Sequence, residues 1–136
     1  MTDEQFACLM TFHNNRSPVV LKALEDYFLN EISVKDLSIN YGLSVRSLYQ
    51  WIKPIKNYHQ FLHNRDITRI DNDLLLTIIA MARITSCKLN QVQIDRILEN
   101  LQSTNDIVVK SYYGNKILID AKKIRFIHKI LLKVEW

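Results

Sequence analysis

The chain has 136 residues, 48% of them apolar and 24% charged, with two Gly and two Pro; that is the profile of a compact, helix-rich domain or two small ones, and it excludes a disordered chain. Its start, Met-Thr-Asp-Glu-Gln, carries acids where a signal peptide carries a basic flank, and the most apolar stretch, Leu74 to Ala82, is too short to span a bilayer. The expectation is a soluble cytoplasmic protein without a membrane partner, whose formal charge of +4 is unevenly placed.

Residues 1 to 60 hold six basic and six acidic side chains, yet from Leu37 to Arg65 there is no acid, only Arg46, Lys53, Lys56 and Arg65. The last 27 residues, Lys110 to Trp136, hold seven basic side chains against Asp120 and Glu135. Basic stretches of this kind suit a polyanion, because each phosphate contact releases counterions.

In chain order, Asp3 to Phe12 reads as a short helix whose Phe6, Leu9 and Met10 cover a bundle. Ser17 before Pro18 reads as a cap with proline first in the helix, and Val20, Leu21, Leu24, Tyr27 and Phe28 then recur at helical spacing to about Asn30. Ser33 caps a helix from Val34 to Tyr41, stopped at Gly42. Ser44 caps the next, expected to run to about Ile52, where Pro54 interrupts or kinks it. The polar segment His63 to Asp71 reads as a linker, giving a first domain over 1 to 64 and a second over 65 to 136.

In the second half, Asp71 caps a strongly apolar helix from Asn72 to Ile84, expected to be buried in a core or in a dimer interface. Asn90 opens a helix with a stripe of Ile94, Ile97, Leu98 and Leu101. The period then changes, and Ile107, Val108, Val109, Tyr112 and Tyr113 lead through Gly114-Asn115 to Ile117, Leu118 and Ile119, a β-hairpin. Lys110 and Lys116 flank its turn as in a wing, although a winged helix places a further helix before this one. Asp120 caps a final helix with Ile124, Ile127, Ile130, Leu131 and Val134 on one face and Lys122, Lys123, Lys129 and Lys133 mostly on the other. The fold class expected is mainly α: an N-terminal helix-turn-helix bundle followed by a helical region with one β-hairpin.

Aligning Gly42 with the turn glycine of a helix-turn-helix puts Leu37, Tyr41, Leu43, Leu48 and Trp51 at the inward positions, all apolar, and compact Ser38 where the helices pack closely. The outward residues of the second helix are then Ser44, Val45, Arg46, Ser47, Tyr49, Gln50 and Lys53. Arg46 and Gln50, four apart, suit guanine and adenine edges. Ser44, Ser47, Tyr49, Lys53 and Lys56 suit phosphate oxygens, which fix register without reading sequence.

The string SPVVLKALEDYFLNEISVKDLSINYG resembles the PapB-type regulators of fimbrial adhesin operons. The features are Glu4-Gln5-Phe6 with Leu9, the helix led by Ser17, the block Ala23-Leu24-x-Asp26-Tyr27, and Ser33-x-Lys35-Asp36 before Tyr41, over residues 3 to 60. The resemblance implies a small helical protein that oligomerises along AT-rich operator DNA and sets adhesin gene expression, with Lys35 and the helix from Ser44 to Lys53 on the DNA. Members are shorter, so the second half is not covered. LSVRSLYQWIK is also similar to the helix-turn-helix at the start of insertion-element transposases, where Leu-Tyr-x-Trp is common. Those proteins continue into a heptad-rich helix, and no sustained heptads follow Lys56.

The leading expectation is therefore a DNA-binding transcriptional regulator, a homo-oligomer whose second half supplies self-association or an accessory DNA contact. The alternative is an accessory DNA-binding protein of a mobile element. A protein-interaction or membrane-surface module on the basic terminal helix is a further reading, against which stands a surface helix closing the second core. An enzyme is not expected: there is no Gly-rich phosphate loop and no Ser, His and carboxylate signature, hence no catalytic residues and no cofactor. His59 and His63 share a helix face but lack a third ligand, so no metal is expected, and Cys8 and Cys87 read as isolated buried thiols.

Overall fold

The computed structural model describes residues 1–13, 17–111 and 113–136. The chain is mainly α-helical with one antiparallel hairpin. Its contacts divide into two units, Met1–Arg65 together with Val134–Trp136, and Asp66–Lys133.

Unit 1 holds α1 (Asp3–Phe12), α2 (Pro18–Asn30), α3 (Val34–Tyr41) and α4 (Val45–His63). Thr2 and Gln5 form a reciprocal capping box on α1, Ser17 stands at the N-cap position of α2 without a side-chain cap bond and is followed by Pro18, and Ser33 and Ser44 each accept a hydrogen bond from a backbone N–H in the first turn of α3 and α4. Leu9, Leu24, Leu37, Leu48, Ile52, Ile55 and Leu62 make the core, where α1 packs on α2 and α4, and α3 on α2 and α4. In α1 it is Gln5, Cys8 and Leu9 that are buried, while Phe6 and Met10 are half-buried.

Two expectations need correction here. α4 does not end near Ile52; it continues through Pro54 to His63, which also moves the start of the linker past His63. A proline within a helix removes one backbone donor and crowds the carbonyl four residues back, here that of Gln50. Gln50 and Pro54 both lie at exposed positions of α4, while burial of Ile52, Ile55 and Leu62 holds both halves of the helix against the core. The second correction concerns the positions expected inward: Leu37 and Leu48 are buried, but Tyr41, Leu43 and Trp51 are only half-buried, and Ile52, one position past Trp51, is the buried residue there.

Unit 2 holds α5 (Asn72–Ala82), α6 (Gln91–Glu99), β1 (Ile107–Lys110), β2 (Lys116–Ile119) and α7 (Ala121–Leu132). Asp71, Asn90 and Asp120 cap its three helices. α5 stops at Ala82 rather than Ile84, because Arg83 adopts the left-handed conformation (φ 49°). Its apolar surface is covered inside the unit by α6 and α7, with Leu74, Leu75 and Ile78 fully buried, so of the two places expected for α5 it takes the core. The strands pair Ile107 with Ile119 and Val109 with Ile117, and these four face the core. Gln93 and Arg96 of α6 donate to the outward carbonyls of Lys110 and Val108 at 2.7 Å each, which satisfies the β1 edge. Tyr112, assigned to the hairpin from sequence, lies outside the described residues. Cys8 is buried, which pushes its thiol up to about 11, but Cys87 is exposed, contrary to the expectation of two buried thiols.

Candidate nucleic-acid interface

The turn between α3 and α4 sets the direction in which α4 projects. Gly42 sits at φ 66° and ψ 27°, the left-handed conformation that ends a helix without steric strain only in a residue lacking Cβ. A Cβ built on it would meet nothing within 4 Å, so the glycine answers a backbone requirement and not a close approach of the two helices. Ser38 Oγ donates to the Leu43 carbonyl at 2.6 Å, satisfying an acceptor in the turn. Below the turn Leu37 and Leu48, each at 0% exposure, fix α3 on α4.

On the far side of α4, the structure leaves Ser44, Val45, Arg46, Tyr49, Gln50, Lys53 and Lys56 exposed, and Lys35 is exposed on α3. Ser47 differs: it is half-buried, and its Oγ lies 2.7 Å from Ser44 Oγ, which also receives the Ser47 N–H at 3.1 Å. Both hydroxyls thus serve the helix cap. Among the described residues none of Lys35, Arg46, Lys53 and Lys56 pairs with a carboxylate. The remaining cation of the acid-free stretch, Arg65, lies over the Phe61 ring at 4.2 Å.

Because α4 is longer than expected, two further residues join this surface. Arg46, Gln50, Lys53, Asn57 and Gln60 fall within about 40° of one another's mean direction at ~100° per residue, a polar stripe roughly 21 Å long. All five are exposed, and the buried Leu48, Ile52, Ile55 and Leu62 lie opposite. Asn57 and Gln60 were missed because Pro54 suggested an end to the helix; the signal that would have found them is the continued spacing of Ile52, Ile55 and Leu62 across the proline.

The scaffold behind the stripe is polar at one point. Asp26, buried at 8% exposure, receives hydrogen bonds from the Tyr41 hydroxyl and from Asn30 Nδ2 at 2.9 Å, with Lys22 Nζ at 3.8 Å. The bond from Tyr41, then that from Asn30, holds the Asp26 carboxyl below its usual range against desolvation, and the same contact raises the Tyr41 phenol. His59 Nε2 lies 3.1 Å from Gln5 Oε1, Gln5 Nε2 donates to the Glu135 carbonyl at 2.8 Å, and His63 Nδ1 donates to the Trp136 carbonyl. The two imidazoles stack with centroids 5.9 Å apart, and burial lowers the pKa of His59. They anchor residues 134–136 on unit 1, and no cluster of three or more metal-ligating side chains occurs among the described residues.

The sequence matches no family model, no curated protein and no solved structure. Among the described residues no helix is long and apolar enough to cross a membrane.

Proposed function

We propose that this protein is a DNA-binding transcriptional regulator that reads duplex DNA with α4. The observation that carries the reading is the exposed, carboxylate-free stripe from Arg46 to Gln60, held outward by the α3–Gly42–α4 turn and backed by the buried Leu48, Ile52, Ile55 and Leu62 on the opposite face of α4. An exposed helix with this spacing fits a major groove. Arg46 and Gln50 carry the forked and amide groups that match guanine and adenine edges, and Lys35, Lys53 and Lys56 supply backbone contacts. Tyr49, at 56% exposure, and Val45, at 44%, add apolar surface suited to thymine methyl groups. No chemistry is assigned to the protein as an enzyme.

A single recognition helix buries too little surface for tight specific binding, so binding as a homo-oligomer on repeated half-sites is part of the same proposal. The resemblance of residues 3 to 60 to PapB-type regulators supports a fimbrial or adhesin operon as the target. A second reading, an accessory factor of a mobile element, is favoured by one feature: α4 runs unbroken well past the Leu48-Tyr49-Gln50-Trp51 string. Both use the same surface and differ in the DNA they choose.

Selection of bound duplexes from a random pool by the full chain tests the proposal. Enrichment of a short motif, lost on Arg46→Ala, is the expected result. Equal recovery of all sequences would overturn it, and enrichment of transposon-end repeats over promoter sites would favour the second reading.

A further inference from the structure

We propose that unit 2 carries a binding site for a small organic phosphate, in the cavity bounded by α7, the end of α6 and the segment before α5. This cavity has a volume of about 490 Å3, within the ordinary range for small-molecule sites. Three side chains of α7, the cationic Arg125 and Lys129 and the imidazole of His128, line one part of it, and no carboxylate lines it anywhere. Ile70, Leu98 and Leu101 line another part, so the site joins a cationic wall to an apolar one.

The hydrogen bonds of Arg125 define what the cationic wall can take. Its Nη1 donates to the carbonyls of Leu101 and Ser103, the latter at 3.0 Å, which uses both hydrogens on that nitrogen and fixes the guanidinium. The Nε and Nη2 hydrogens are left over, and they form the parallel pair of donors that matches two oxygens of one phosphate. Among the described residues no acceptor takes them. His128 is held in the same way: Nε2 donates to the Ile67 carbonyl at 2.6 Å, which leaves Nδ1 as the ring's remaining polar atom. Lys129 is exposed and pairs with no carboxylate among the described residues, so its ammonium can close over a bound anion. The Arg125 guanidinium and the Lys129 ammonium together, with no carboxylate beside them, suit a dianion better than a carboxylate. The apolar wall selects an ester with a hydrocarbon or aromatic group over inorganic phosphate.

The site stands on unit 2 alone, whatever α4 binds. The test is calorimetric titration of the full chain, without nucleic acid, with phenyl phosphate, inorganic phosphate, benzoate and phenol. Phenyl phosphate is expected to bind at one site with a Kd of about 1 mM or tighter, as a ligand of its size reaches at ordinary efficiency. Each of the other three compounds is expected to bind at least about ten-fold more weakly, since each lacks the dianion or the apolar group. Lys129→Glu, a change at an exposed position, and Arg125→Lys, which removes the paired donors, are each expected to weaken phenyl phosphate by about ten-fold or more. No saturable binding of phenyl phosphate, equal binding of benzoate, or unchanged affinity in a folded Lys129→Glu protein would each overturn the proposal.

Discussion

Tyr41 donates its hydroxyl hydrogen to the Asp26 carboxylate, tying the last residue of α3 to α2 just before the turn that launches α4. Since this bond is the largest influence lowering the Asp26 pKa, it links the position of α3 to the charge of one carboxylate. The folded state prefers Asp26 ionised; its contribution to stability is complete above the unfolded-state value of 3.8 and is lost as pH falls through the lower folded value. Tyr41→Phe is expected to lower the urea midpoint at neutral pH and to flatten the decline in stability below about pH 4. An unchanged acid limb in the variant, followed by circular dichroism, would contradict the linkage.

Gly42 stands in open space, so substitutions there test backbone conformation alone. Alanine at a left-handed position is expected to cost about 1 kcal/mol, and Gly42→Asn clearly less, because asparagine tolerates that conformation. Urea unfolding of the two variants checks the order. Equal losses would mean that the turn is not held at positive φ in solution.

Pro54 interrupts the hydrogen-bond ladder of a helix that packing keeps continuous. Pro54→Ala restores the donor to the Gln50 carbonyl and is expected to raise stability by up to about 3 kcal/mol, read as a higher melting temperature. A lower melting temperature would show that the proline shapes α4 in a way the core needs.

Most of the fold was legible in the sequence because its punctuation is chemically strong. Ser33, Ser44, Asp71, Asn90 and Asp120 each sit before an apolar period, and each caps the helix that follows. What escaped the sequence was decided by tertiary burial. Pro54 is a local stop signal, but Ile55 and Leu62 beyond it are buried against the bundle, and that outweighs the missing bond. The roles of Asp26 and Tyr41 were likewise hidden, since their contact spans two helices and no local pattern announces it. On the candidate surface, the outward positions of α4 followed from helical period alone; Ser47 did not, because a capping hydroxyl pair turns it back toward Ser44.

Lys53 and Lys56 are exposed and pair with no carboxylate among the described residues. If they meet phosphates, Lys53→Ala and Lys56→Ala are each expected to reduce the slope of log K against log salt by about 0.9, with equal loss on all duplex sequences. Fluorescence anisotropy over a salt series measures both. A slope equal to that of the unsubstituted protein would remove these lysines from the contact.

The central claim is that the outer face of α4 discriminates between base pairs. Its most direct test is the affinity of Arg46→Ala for a selected target and for a scrambled duplex, measured at one salt concentration. The account predicts a loss of about 1–3 kcal/mol on the target, a much smaller loss on the scrambled duplex, and an unchanged circular dichroism spectrum. Equal losses on the two duplexes, or none on either, would contradict it.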